Sequence, residues 1–405
     1  MQTVIGGGHD MIDVERARID TPGCTEVIHL NNAGAGLMPS GVLDAVIGHL
    51  KLEAQIGGYE AAAQAVALTE GAYDSIAKLI GCSRDEVAIV ENATRAWDMA
   101  FYSIPLAPGD RILTSVSEYG SNYVAFLQAA RRTGATIDVI PNDDHGQTSA
   151  RALRGMIDGR VKLIAITHVP TNGGLVNPAA EIGQVARDAG ILYLLDACQS
   201  VGQMPVDVRE IGCDMLSATG RKYLRGPRGT GFLYVRGDLI EQLEPPFVDI
   251  HAATWVDQST YRVRPDARRF ENWESYVAGK VGLGAAVQYA LDWGLDHIYR
   301  RVTNLATRLR AGLAELNGVT LRDLGEAPCG IVTFTVKDVH PEALKQALAR
   351  RRINVSVSSR GSTRIDMTQR GIYDMIRASV HYYNTESELD EFCAALAEEI
   401  DTELG

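Results

Sequence analysis

Met215–Val235 reads M-L-S-A-T-G-R-K-Y-L-R-G-P-R-G-T-G-F-L-Y-V. An apolar start gives way to small polar residues and a single lysine, Lys222. A glycine-rich turn and a second apolar run, Phe232–Val235, follow. A free cation held between two buried strands is costly. A lysine so placed is a candidate for covalent imine formation, which needs an amine held near neutrality. The alternative is an ordinary solvated surface lysine.

Upstream, Ile191–Gln203 reads I-L-Y-L-L-D-A-C-Q-S-V-G-Q. The apolar run has strand length and stops at Asp196. A carboxylate at the carboxyl end of a parallel strand faces the crevice where open α/β sheets bind ligands. An acid there and an imine-forming lysine 26 residues later suit a cofactor whose ring nitrogen carries a proton.

These two segments resemble the class V aminotransferase family of pyridoxal-phosphate enzymes, which includes cysteine desulfurases, selenocysteine lyases, isopenicillin N epimerase-like proteins and C–S lyases. The resemblance runs from about Asn31 to the C-terminal helix. It implies an α/β protein of fold type I: a large domain built on a mostly parallel sheet of the seven-stranded type, with a smaller α+β C-terminal domain. The expected division is an arm over 1–39, a pyridoxal-phosphate-binding domain over 40–275, and a linking helix with the small domain over 276–405.

Composition agrees with an enzyme of this kind. The chain has 405 residues, 46% hydrophobic, with 40 glycines, a formal net charge of −12 and a pI near 5.3. Glycine at that level suits many strand–helix turns. No basic stripe marks a nucleic-acid surface, and no apolar run approaches the roughly 20 residues of a membrane span. Six scattered cysteines without a C-x-x-C pair argue against a zinc site or a disulfide framework. The amino-terminal segment lacks a basic region followed by an apolar one, so a cytoplasmic location is expected; Gly6–Gly8 reads as part of a mobile arm.

The remaining site residues are placed by strand–turn–helix punctuation together with the resemblance. Val27–Gly36 is a short strand entering a small-residue turn. There Asn32 is expected beside the substrate, the alternative being an ordinary strand-exit loop. After the strand Val87–Val90, the turn E-N-A-T-R-A opens a helix whose first N–H groups suit a phosphate; Ala93 and Thr94 are the expected contacts, Thr94 as a simple N-cap the alternative. Tyr119, after the strand Arg111–Ser117, stands where the desulfurases carry a histidine stacked on the ring. An aromatic ring can stack equally well, but tyrosine is a poor proton shuttle near pH 7. Thr171 or its neighbour Asn172, and Gln199, are expected at the cofactor's ring oxygen. Cys198 reads as a small buried hydrophobe. Thr219 and Arg221 are expected on the phosphate.

In the segment R-R-F-E-N-W-E-S-Y (268–276), the family's Gly-Thr-Pro-Asn is missing. Trp273 and Glu274 are the expected pocket residues there, a capping or interface role the alternative. Further on, leucines and isoleucines from Leu295 to Leu316 at offsets of three and four form a helical stripe. Gly330–Val336 alternates like a half-buried strand, and Thr385-x-x-Glu388 is a capping box. Arg377 matches the family arginine that grips a substrate carboxylate, where a planar fork is preferred over lysine. Arg360 lies in the loop that approaches the cofactor.

In desulfurases that loop carries the sulfur-accepting cysteine. Val355–Arg370 contains none. The expectation is therefore β-elimination: a C–S lyase that converts an S-substituted cysteine to a thiol, pyruvate and ammonia. The alternatives are aminotransfer, decarboxylation-coupled oxidative deamination, or a pyridoxal-phosphate-binding regulator. A small-molecule amino-acid substrate, no metal, no membrane or nucleic-acid partner and a homodimer complete the expectation.

Overall fold

The computed structural model describes residues 12–404; Gly6–Gly8 lie outside the described residues. The large domain is organised by a seven-stranded sheet. Its strands are β1 Val87–Val90, β2 Arg111–Ser115, β3 Thr136–Ile140, β4 Val161–Thr167, β5 Leu192–Asp196, β6 Met215–Thr219 and β7 Gly231–Val235. The spatial order is β1-β7-β6-β5-β4-β2-β3. Only β7 runs against the rest, antiparallel to both β6 and β1. That follows from its connection: the turn after Lys222 contains no crossover helix, and two parallel neighbours need one. Strands β4 to β7 are almost continuously buried, as expected for a sheet covered on both faces.

The longer helices are α1 Ser40–Ile56, α2 Val66–Ile80, α3 Ala93–Phe101, α4 Gly120–Thr133, α5 Ala179–Ala189, α6 Val277–Trp293, α7 Leu295–Ala314, α8 Pro341–Arg350 and α9 Glu386–Leu404. Two local features fix the helix ends that matter. Asn92, not Thr94, caps α3 by accepting from Arg95 N at 2.9 Å. Thr385 and Glu388 form the expected capping box before α9, each side chain bonding the other's backbone N–H at 3.2 and 3.1 Å. The stripe on α7 is buried at Ile298, Val302, Leu305, Leu309 and Leu313.

The C-terminal part carries a four-stranded antiparallel sheet of β8 Val319–Leu321, β9 Ile331–Val336, β10 Ser356–Ser359 and β11 Asp374–Ser379, in the order β8-β9-β11-β10. Strand β9 is buried at five of its six positions, because it is central rather than half exposed. The N-terminal segment is stitched to this part of the molecule. Ile28 and His29 pair in parallel with Ile353 and Asn354, and Asn31 bridges to Ser379. The turn 31–37 is thereby held between the two sheets.

Candidate active site

Strand β2 pairs in parallel with β3 on one side and β4 on the other, so the chain leaves β2 in one direction and β4 in the other. A crevice opens at such a switch point, beyond the carboxyl ends of the strands. Glu118 and Tyr119 follow β2, Thr171 follows β4, Asp196 ends β5, and Thr219 ends β6 just before Lys222.

Thr167, Asp196 and Ser217 stand in register across β4, β5 and β6, so their side chains share one face. Asp196 is 5% exposed. Its Oδ1 accepts from Cys198 N at 2.9 Å and its Oδ2 from Asn122 Nδ2 at 2.9 Å. Behind it lies a second buried acid that motif reading did not single out. Glu118 accepts from Tyr119 N (2.9 Å), Thr167 Oγ1 (2.6 Å), Asn122 Nδ2 (2.9 Å) and Thr114 Oγ1 (3.0 Å). Burial pushes the Glu118 carboxyl up to about 7, against the pull of those donors and with the Asp196 charge adding to the rise. The signal in the sequence was the closeness of Glu118, just before α4, to Asn122 in its first turn.

Lys222 is half-buried. Burial lowers its proton affinity, Cys198 and Asp196 oppose this, and Arg221 and Arg377 add to it. The loop that carries it is clamped by the C-terminal segment: His381 Nε2 donates to the Tyr223 carbonyl at 3.0 Å, and the buried Arg225 donates to Tyr382 Oη at 2.7 Å and Leu37 O at 2.7 Å. The amine is therefore held by backbone fixed on two sides.

Arg377 projects from the middle of β11. Its Nη1 donates to Thr171 Oγ1 at 2.6 Å, and its Nη2 reaches Asn31 Oδ1 at 3.4 Å. Desolvation lowers it to about 10. Thr171, not Asn172, therefore meets Arg377; Asn172 turns to Thr363 Oγ1 at 3.0 Å. Gln199 Nε2 donates to Ala33 O at 3.0 Å and reaches Thr171 Oγ1 at 3.4 Å. Asn32 is not brought to the crevice. It is fully buried; its Nδ2 donates to Ser379 O (2.8 Å) and His29 O (3.2 Å), and its Oδ1 accepts from Tyr383 Oη. The parallel bridge at Asn31 turns that neighbour toward Arg377 instead.

Arg221 donates to the Gly34 carbonyl, and burial lowers its proton affinity. Thr219 is buried and reaches Thr230 O at 3.5 Å. The start of α3 comes against β7 because Gly231 has no side chain; a Cβ there would lie 2.9 Å from Ala93 N and 2.8 Å from Asn92 C. With Asn92 as the cap, exposed Thr94 keeps its hydroxyl free in the first turn. Thr94, Tyr119, Gly361 and Ser362 line a 470 Å³ cleft that also reaches Asp98 and Gln128. The loop Arg360–Ser362 touches the start of α4, where Gly120 leaves room for the Gly361 carbonyl. Arg360 itself donates to Ile372 O at 3.1 Å and lies 4.9 Å over the Tyr373 ring, so its guanidinium is engaged within the small domain.

Trp273 is 55% exposed and is not gathered with these residues. Its neighbour Glu271 is a buried structural hub instead, accepting from Tyr73 Oη at 2.8 Å, Ile89 N at 2.7 Å and His251 Nε2 at 3.1 Å.

The residues fit pyridoxal phosphate. Three cations, Arg221, Lys222 and Arg377, converge with no carboxylate partner in an ion pair among the described residues. A buried charge left so is costly, and a phosphate and a carboxylate are the anions that would relieve it. Among the described residues, buried Gln199 Oε1, Ser217 Oγ and Arg377 Nε also lack hydrogen-bond partners. Lys222 and Asp196 would hold the aldehyde and the ring nitrogen. Thr94, Thr219, Arg221 and the start of α3 would hold the phosphate, and Tyr119 the ring face.

The family model described as aminotransferase class-V matches residues 28–392. The chain is 28% identical to the cysteine desulfurase of Haloferax volcanii over 395 residues, 93% of this chain and 92% of that one. Its structure resembles the apo cysteine desulfurase of Thermococcus onnurineus NA1 with a TM-score of 0.88 at 28% identity, covering 96% and 98% of the two chains. It also resembles a cystine C–S lyase solved in complex with its product, cysteine persulfide, with a TM-score of 0.83 at 25% identity over 93% and 99%.

Proposed function

The chain belongs to the class V aminotransferase family of pyridoxal-phosphate enzymes, and from that premise we propose that it is a carbon–sulfur lyase acting on an S-substituted cysteine. Substrate and water give a thiol, pyruvate and ammonium. The names of its relatives, cysteine desulfurase and cystine C–S lyase, both describe loss of sulfur from a cysteine-type amino acid. The observation that carries the choice is the stretch 355–370, which lines the cleft through Gly361 and Ser362 and contains no cysteine to accept sulfur. Cys198, the thiol beside Asp196 and Lys222, is held far from ionisation by burial and is a poor nucleophile in that state.

When bound, the cofactor draws electrons from the substrate's α-carbon. Arg377 grips the α-carboxylate and orients the Cα–H bond. Lys222, its proton affinity lowered by burial, takes the α-proton. The Cβ–S bond then breaks with its electron pair on sulfur, and the thiolate leaves protonated. The released enamine hydrolyses in water to pyruvate and ammonium. Asp196 would set its carboxylate against the ring nitrogen, held in place by Asn122 Nδ2 and Cys198 N.

The same reading includes a homodimer. Large apolar side chains stand exposed at Tyr59, Leu68, Trp255, Tyr261 and Trp273, and sedimentation would read the assembly directly. Incubation with S-alkyl cysteines and assay of pyruvate tests the reaction. Pyruvate and thiol in equal amounts are expected. A keto acid formed only with an amino acceptor or oxygen would overturn the lyase reading.

A further inference from the structure

Asn122 has one amide nitrogen with two hydrogens, and each is committed to a different buried acid. Its Nδ2 lies 2.9 Å from Glu118 Oε1 and 2.9 Å from Asp196 Oδ2. All three residues are at least nine-tenths buried: Glu118 is 3%, Asn122 4% and Asp196 5% exposed. Two acids sharing one donor in a dry place is an expensive arrangement, and nothing about the sheet requires it.

We propose that Glu118 and Asn122 are positioning residues for the cofactor. Glu118 fixes Asn122, Asn122 fixes Asp196, and the charge of Glu118 is added to that of Asp196 behind the ring nitrogen. Glu118 touches neither cofactor nor substrate. The charged group acting on it is Asp196, with the buried Tyr193 phenol the other titratable neighbour. The inference rests on cofactor binding and not on which bond the enzyme breaks.

Glu118→Gln is a clean probe. With its amide oxygen in the place of Oε1, glutamine still accepts from Tyr119 N, Asn122 and Thr167. Its amide nitrogen takes the place of Oε2, and the Thr114 hydroxyl, now facing a donor, can rotate to accept. Only the charge is removed. Asn122→Ala instead breaks the bridge.

The experiment uses holoenzyme and measures the pH midpoint of the bound cofactor's visible absorption change, the pyridoxal-phosphate dissociation constant and the melting temperature of the apoprotein. For E118Q the midpoint is expected to fall by about one pH unit, because less negative charge disfavours the protonated cofactor, with apoprotein melting unchanged. For N122A the dissociation constant is expected to rise about tenfold. In the double variant E118Q should add little to the loss of affinity, since coupled residues are not additive. Wild-type midpoint and affinity in E118Q, or an E118Q effect on affinity undiminished in the N122A background, would overturn the proposal. Should E118Q fail to fold, N122A decides alone, and an unchanged midpoint and affinity there would overturn it. A wild-type protein that takes up no cofactor would instead refute the site assignment beneath it.

Discussion

Arg377 Nη1 donates to Thr171 Oγ1 at 2.6 Å, and its guanidinium has no carboxylate partner among the described residues. A cation buried without a counter-charge is several kcal/mol out of balance until an anion arrives. The substrate's carboxylate is that anion. Arg377→Lys keeps the charge and loses the fork. KM is expected to rise ten- to a hundredfold, with kcat falling less, while the cofactor stays bound. Steady-state kinetics on an S-alkyl cysteine check this; an unchanged KM would remove Arg377 from the carboxylate site.

Asp196→Asn removes the negative charge set against the ring nitrogen. It also turns one amide donor toward either Asn122 Nδ2 or Cys198 N, both of which now donate to this carboxylate. A loss of about a hundred- to a thousandfold in kcat is expected, with the cofactor still covalently held. Single-turnover rates together with the absorption spectrum separate this from simple cofactor loss.

Gly231→Ala places a methyl group 2.9 Å from Ala93 N. The backbone there cannot yield as a flexible side chain would, so the start of α3 must shift. The dissociation constant of pyridoxal phosphate is expected to rise about tenfold, since the first-turn N–H groups no longer meet the phosphate squarely. Fluorescence titration of the apoprotein measures it.

Burial lowers His168 from 6.5 to about 4. The unfolded chain binds this proton through that window and the folded chain does not. The contribution of His168 is therefore whole above pH 6.5 and is lost as pH falls toward 4, about 3 kcal/mol across the window. His29 and His381 are lowered as well, so the comparison must be with His168→Gln. Denaturant unfolding at pH 7 and pH 4.5 should show the variant losing less stability than the wild type.

A lyase of this kind leaves no sulfur on the protein. Intact mass after turnover should show none of the six cysteines carrying an added sulfur atom. A persulfide on Cys198 would instead favour a desulfurase.

The segment from Ile191 to Val235 made most of this legible, because it carries the acid, the lysine and two strand ends within one short stretch. Capping and periodicity fixed α7 and α9 for the same local reason. What stayed hidden depends on residues far apart in the chain. Asn31 faces Arg377 and Asn32 does not, because Asn31 bridges to Ser379. Thr171 is chosen over Asn172 by Arg377, which is 206 residues away. The reversed direction of β7 was latent in its helix-free connection. The strand at 353–354, which pairs with the expected strand at 28–29, is too short to announce itself. Glu118 looked like a strand-exit residue until its partners, Asn122 and Thr167, were placed around it.

The account stands on Lys222 forming the covalent link to pyridoxal phosphate. Reduction of the holoenzyme with borohydride, proteolysis and peptide mapping by mass spectrometry test it most directly. The expected result is a single phosphopyridoxyl label on Lys222, absent from Lys222→Ala. A colourless protein that acquires no label, or a label on another lysine, would contradict it.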